Sequence, residues 1–326
     1  MIRESAFRPA PGLGNRHLQT LLPALGLVPT PTPKTRREIL ALPDGDSLAL
    51  DWLDTNAEDA APLLMVLHGL EGSSESSYAR CLLDVAQQRG WRALVMHFRD
   101  CGDHRNRLAR RYHAGETGDL AFVADRLRER YPDNRQMFAG FSLGGNVLLK
   151  YLGENREGAH CDAAVAVSVP FLLQEASDAI SQGFSKLYQW HLMRNMKRAL
   201  REKFAPESAP FAYEAALRTT TFEEFDNLVT APLHGFADKD EYYRKSSSRQ
   251  FLIDIAKPTL VLHAVDDPFM TTTMIPEPHE LSDQVLLELS RHGGHVGFIT
   301  GNRMRERRYW LPERIGAFFE EQLSAA

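Results

Sequence analysis

The sequence predicts a doubly wound, mostly parallel α/β sheet that begins with antiparallel strands. Three observations carry this. The segments PLLMVLHGL (62–70), RALVMHF (92–98), RQMFAGF (135–141), DAAVAVSV (162–169), TLVLHAV (259–265) and QVLLELS (284–290) are near-continuous apolar runs, as expected of strands covered on both faces. SYARCLLDVAQQRG, GDLAFVADRLRERY and NVLLKYLGE follow successive strands with helical apolar spacing and supply the covering layers. Ahead of them, REILALPDGDSLALDWL (37–53) alternates apolar and polar residues on both sides of Asp44-Gly45, the pattern of an antiparallel hairpin.

Composition narrows the function classes. A chain of 326 residues with 43% hydrophobic content can bury a large core and carry an insertion. Its net charge of −5 and the lack of a dense basic run beside interleaved aromatics argue against a nucleic-acid partner. The three cysteines, Cys81, Cys101 and Cys161, are odd in number and scattered, which fits a reducing compartment better than a disulfide framework. The N-terminus places charges where a secretory segment should be apolar, and no stretch approaches the roughly 20 apolar residues needed to span a bilayer. A soluble, cytoplasmic protein is expected.

In such sheets ligands sit at the carboxyl ends of the strands, and three chemistry-bearing motifs fall there. Gly140-Phe141-Ser142-Leu143-Gly144 lies between a strand and a helix, the setting of a nucleophile elbow, where a sharp turn pushes a serine hydroxyl outward. Taken alone it could be an ordinary tight turn, but its partners follow in the order of α/β hydrolases. Asp266-Asp267-Pro268 comes after one strand, and Arg291-His292-Gly293-Gly294-His295 after the next. His295 is expected to accept the Ser142 proton, in preference to His292, because it lies deeper in the glycine-rich loop. Asp266, which directly follows the strand, is the expected acid. Asp267 is the alternative, and its proline neighbour suggests a residue that caps or fixes the turn. His68-Gly69-Leu70-Glu71-Gly72 resembles an oxyanion loop, so the backbone N–H groups of Leu70 and Leu143 are the candidate donors, with His68 shaping the loop.

Together GNRHLQTLLP (14–23), HGLEGS, HFRDCGDHRNRLARRYHAGET (97–117), GFSLGGN, HAVDDPF and GGHVGF resemble the YheT branch of the α/β hydrolases, related to the ABHD lipid esterases. The resemblance implies an α/β-hydrolase fold and a serine esterase acting on carboxylic esters, acylglycerols and other acyl lipids among them. Some fungal relatives are similar while also transferring acyl groups to alcohols. An Arg-Gly-Cys usual in the branch stands here as Arg99-Asp100-Cys101.

The same stretch gathers His97, Asp100, Cys101, Asp103, His104 and His113, but the spacing matches no compact zinc pattern, and a Ser–His hydrolase needs no cofactor or metal. The expected organisation is an N-terminal extension over 1–35, a hydrolase core over 36–170 and 256–326, and a helical cap or lid inserted at 171–255. In that cap, FSKLYQWHLMRNMKRALREKF (184–204) carries apolar residues at helical spacing, with Lys186, Arg194, Lys197, Arg198 and Arg201 elsewhere around it. It reads as a helix roofing the acyl pocket, with peripheral contact to a membrane surface as the sharper alternative. The rival function classes are an acyltransferase using the same residues and a catalytically idle hydrolase fold that serves as a binding module.

Overall fold

The structure, a computed structural model, describes residues 1–303 and 306–325. Nine strands form its main sheet: β1 (Ile2–Glu4), β2 (Thr35–Ala41), β3 (Ser47–Leu53), β4 (Leu63–Leu67), β5 (Arg92–Met96), β6 (Gln136–Phe141), β7 (Ala163–Val167), β8 (Thr259–Ala264) and β9 (Val285–Ser290). Their spatial order is β1-β9-β8-β7-β6-β4-β5-β3-β2. All neighbours from β1 to β5 are parallel. The hairpin predicted around Asp44-Gly45 adds β3 antiparallel to β5 and β2 antiparallel to β3. Strand β1, too short to show a period, extends the far edge beside β9.

Alternation along the strands explains why they read as continuously apolar. Leu63, Met65 and Leu67 of β4 enter one core, while Leu64 and Val66 enter the other. The helices flanking the sheet are α1 (Arg16–Ala24), α2 (Ser77–Gln88), α3 (Gly118–Arg130) and α4 (Leu143–Asn155). Between β7 and β8 come α5 (Leu173–Ile180), α6 (Ser185–Lys203), α7 (Tyr213–Arg218), α8 (Phe222–Phe225), α9 (Ala231–Leu233) and α10 (Lys239–Ser246), and α11 (Leu311–Ser324) closes the chain. Leu120 and Val123 of α3 with Val147 and Leu148 of α4 fill the first core. Leu82 and Leu83 of α2 with Ile315 and Phe319 of α11 fill the second. With both faces covered, the central strands β4 and β7 are apolar throughout.

The inserted helices have a small core of their own, in which Met193, Met196 and Leu200 of α6 meet Phe225 and Val229, with Leu70 of the main domain packed against it. Asn146 of α4 fixes the insertion to the sheet. Fully buried, its Nδ2 donates to Ala114 O and Ser246 O, both at 2.8 Å, and its Oδ1 accepts from Ser248 N at 3.0 Å.

A π-helical turn over 226–230 follows α8. Its Asp226 is buried and accepts from Thr230 Oγ1 at 2.6 Å and Tyr243 OH at 2.8 Å. Burial outweighs these two bonds and pushes the carboxyl from its ordinary 3.8 up to about 6. Between those values the unfolded chain has already lost the proton that the folded chain keeps, so stability falls as pH rises through that window. Above it the full cost is about 3 kcal/mol. Asp226→Asn should therefore melt above wild type at pH 8, with the gap closing toward pH 4. A pH-independent difference in thermal unfolding would contradict this.

Candidate active site

Ser142 sits where β6 turns into α4, with φ 52° and ψ −118°. A residue with a Cβ rarely adopts this backbone, and the surroundings hold it there. Ser142 N donates to Val167 O of β7 at 2.8 Å, and Ser142 O accepts from Asn146 N at 3.0 Å. The flanking glycines are required by crowding. A Cβ on Gly140 would lie 2.5 Å from Gly144 O, and one on Gly144 would lie 2.4 Å from His68 O.

Opposite the elbow, the loop after β9 delivers His295. Its Nδ1 lies 2.8 Å from Asp267 Oδ2 and its Nε2 lies 3.0 Å from Ser142 Oγ. A carboxylate only accepts, so Nδ1 carries the hydrogen and Nε2 is free to take the serine proton. The acid that meets the imidazole is thus Asp267 and not Asp266. Asp266 accepts from Gly294 N at 3.0 Å and faces His292 Nδ1 at 3.5 Å. Turn geometry explains the exchange. Asp267 N bonds back to Ala264 O at 3.0 Å, which folds its side chain under the loop, and Asp267 Oδ1 accepts from Phe269 N at 2.9 Å. One carboxylate therefore both fixes the turn and orients the histidine. The Phe269 ring stacks on the imidazole with centroids 4.1 Å apart.

The N-terminal segment supports this loop, a role that motif order alone does not reveal. Thr20 Oγ1 of α1 accepts from His295 N at 2.9 Å. Buried Gln19 accepts from Ile299 N at 2.6 Å and donates to Leu13 O at 2.7 Å. Gly297 lies so close that a Cβ there would be 2.2 Å from Gln19 O. The GNRHLQT motif is thus a brace behind the histidine.

The loop after β4 brings Leu70 beside the elbow. His68 is fully buried, and burial aided by the neighbouring His97 lowers its pKa to about 3. It stays neutral, accepts from Phe98 N through Nε2 at 3.1 Å, and donates from Nδ1 to Gly69 O at 2.7 Å. The imidazole so pins the turn that presents Leu70 N–H. Among the described residues neither Leu70 N nor Leu143 N has a hydrogen-bond acceptor, and Leu143 opens α4, where such N–H groups are free by geometry.

Charged side chains lock the same loop to the 97–117 segment and to the insertion. Glu71, at φ 51°, accepts from Tyr112 OH at 2.9 Å and from Arg111 Nη2 at 3.1 Å. Asp100 holds φ 62°, which aspartate tolerates better than most residues. Its carboxylate accepts from Lys203 Nζ of α6 at 2.7 Å and lies 3.5 Å from Arg111 Nε. Nearby, His97 Nε2 lies 2.8 Å from Asp51 Oδ2, and His104 Nε2 lies 2.9 Å from Ser47 Oγ. Among the described residues no group of three His, Cys, Asp or Glu is placed to hold a metal ion. Burial pushes the thiols of Cys81 and Cys161 up to about 12, where they stay protonated at neutral pH.

Ser142 and His295 open onto a cavity of about 660 Å³ between the main sheet and the inserted helices. Its walls are largely apolar, with Leu21 of α1, Ile180 of α5, Leu187 of α6, Phe222 and Met270 among them. The polar chain thus meets an apolar chamber, an arrangement suited to acyl transfer from substrates with a hydrocarbon part.

The sequence profile of the α/β-hydrolase fold matches residues 62–302, and the chain belongs to that family. Within it the chain is YheT-like. It is 42% identical to YheT of Escherichia coli (strain K12), provisionally named an esterase, over 98% of this chain and 94% of that one. A monoacylglycerol lipase of Saccharomyces cerevisiae is 30% identical over 81% of this chain and 60% of its own length. Among solved structures, esterase Pf2001 of Pyrococcus furiosus aligns with TM-score 0.61 over 100% of this chain and 99% of that one, at 17% identity, a likeness of fold. The chain is an esterase- and lipase-like α/β hydrolase. No helix among the described residues is long and apolar enough to cross a membrane.

The distinction between the two aspartates is measurable on the serine itself. Asp267→Asn should slow fluorophosphonate labelling of Ser142 by on the order of 10³-fold or more, whereas Asp266→Asn should stay within about tenfold of wild type. The reverse ranking, followed by intact mass over time, would place the orienting role on Asp266.

Proposed function

We propose that the protein is a serine carboxylesterase that cleaves acyl esters, including acyl lipids, through an acyl-enzyme. The observation that carries this reading is the hydrogen-bonded chain Ser142–His295–Asp267 opening onto the apolar cavity. His295 Nε2 takes the Ser142 proton as Oγ attacks the ester carbonyl carbon, and the carbonyl oxygen becomes an oxyanion facing Leu70 N–H and Leu143 N–H. Asp267 stabilises the imidazolium that forms. The carbonyl re-forms, the C–O bond to the alcohol breaks, and the proton on His295 passes to the departing alcohol. Water, deprotonated by the same imidazole, then attacks the acyl-enzyme and releases the acid while Ser142 regains its proton. The provisional esterase name of the Escherichia coli relative and the monoacylglycerol lipase name of the yeast relative support the ester substrate class.

Hydrolysis of p-nitrophenyl esters of graded chain length tests the proposal. Activity should rise from acetate as the acyl chain fills the cavity, and Ser142→Ala should lose on the order of 10⁴-fold or more in kcat while keeping the wild-type melting temperature. An unchanged rate in Ser142→Ala would sink the assignment. Added ethanol separates the acyltransferase reading, because an ester product exceeding the free acid would mean that an alcohol is the preferred acceptor.

A further inference from the structure

Six large apolar side chains stand exposed on two neighbouring segments: Leu18, Leu25 and Leu27 on and just after α1, and Phe184, Leu187 and Trp190 at the start of α6. Their exposure runs from 41% at Leu18 to 65% at Leu25, far beyond what a packed cap surface requires. The segments adjoin, since the His17 ring lies 4.5 Å from the Phe184 ring and His17 Nδ1 lies 3.1 Å from Tyr188 OH. Leu25, Leu187 and Trp190 also line the cavity that holds Ser142, so the exposed apolar surface is continuous with its wall.

Charge on these segments is one-sided. Between Glu4 and Glu38 the sequence holds no acidic residue, and none occurs between Asp178 and Glu202, in a chain whose net charge is −5. Lys186, Arg194 and Arg198 project from α6, with Arg16 at the start of α1, and all four are exposed. Of the bounding acids, Glu202 pairs with Arg105 at 2.6 Å and lies 3.9 Å from Arg198 Nε, and Asp178 accepts from Gln174 at 3.1 Å. An apolar rim carried on two basic stretches that hold no acidic residue is complementary to an anionic lipid surface, where apolar side chains enter the acyl boundary and basic ones meet the headgroups.

We propose that the α1–α6 face is a docking surface for an anionic lipid bilayer, which places the mouth of the Ser142 cavity against the membrane. The inference goes beyond ester hydrolysis and does not depend on it, because binding can be read on the Ser142→Ala protein.

Sedimentation with phosphatidylcholine vesicles, with and without phosphatidylglycerol, tests it. The full chain and its Ser142→Ala form should bind the mixed vesicles and not the pure ones, and added salt should weaken binding. The triple change Lys186→Gln/Arg194→Gln/Arg198→Gln should lose on the order of 100-fold in affinity, taking each basic residue at about fivefold. Leu27→Asp should weaken binding as well. Leu27 lies outside the GNRHLQT brace, and neither it nor the three basic residues line the cavity, so hydrolysis of p-nitrophenyl butyrate in solution should stay at the wild-type rate in these variants. Binding indifferent to phosphatidylglycerol, undiminished binding by either variant, or a lipid-free dimer that buries Trp190 would overturn the proposal.

Discussion

The backbone of Ser142 is the constraint around which the other parts are arranged. A left-handed φ on a residue with a Cβ costs about 1–3 kcal/mol, and it persists because both ends of the turn are anchored. β6 is buried between β4 and β7, and α4 is buried along nearly its whole length. The turn brings the start of α4 against the backbone of Leu67 and His68, so that Gly144 has no space for a side chain. This close approach sets Leu70, from the loop after β4, beside Leu143, the first residue of α4. The strained turn therefore faces the hydroxyl to the cavity, and the same crowding holds the end of β4 against the start of α4.

Around that turn the protein uses neutral and charged groups for different tasks. Neutral His68 holds the Leu70 loop through two backbone bonds. Paired charges tie this loop outward through Glu71, Arg111 and Asp100 to Lys203 of α6. Lys203 and the pocket-lining Leu187 share one helix, so a displacement of α6 would be felt both by the cavity and by the Asp100 cluster. Removing one partner from such a buried set leaves another charge uncompensated, so loss of one partner costs more than the pair itself contributes.

Much of this was legible in the sequence because burial on both faces leaves a one-dimensional trace. The six core strands and the hairpin follow from apolar runs and Asp44-Gly45, and Ser142 and His295 follow from glycine spacing at strand ends. Choosing between Asp266 and Asp267 required the turn itself. Adjacent residues after a strand point in opposite directions, and only the bond from Asp267 N to Ala264 O decides which one faces the histidine. Strand β1 and the brace formed by Gln19 and Thr20 were hidden for another reason. Their partners lie hundreds of residues away, and three residues of strand carry no period. Asp100 is a further feature that the sequence alone does not show, since its positive φ and its bond to Lys203, 103 residues away, arise only in the folded chain.

The most direct test of the central claim is to trap the acyl-enzyme. Wild-type protein mixed with a p-nitrophenyl ester and quenched in acid within the first turnovers would be digested and its peptides weighed. The account predicts the mass of the acyl group on the peptide containing Ser142, absent from Ser142→Ala. Burst release of nitrophenol with the acyl group on another residue would contradict it.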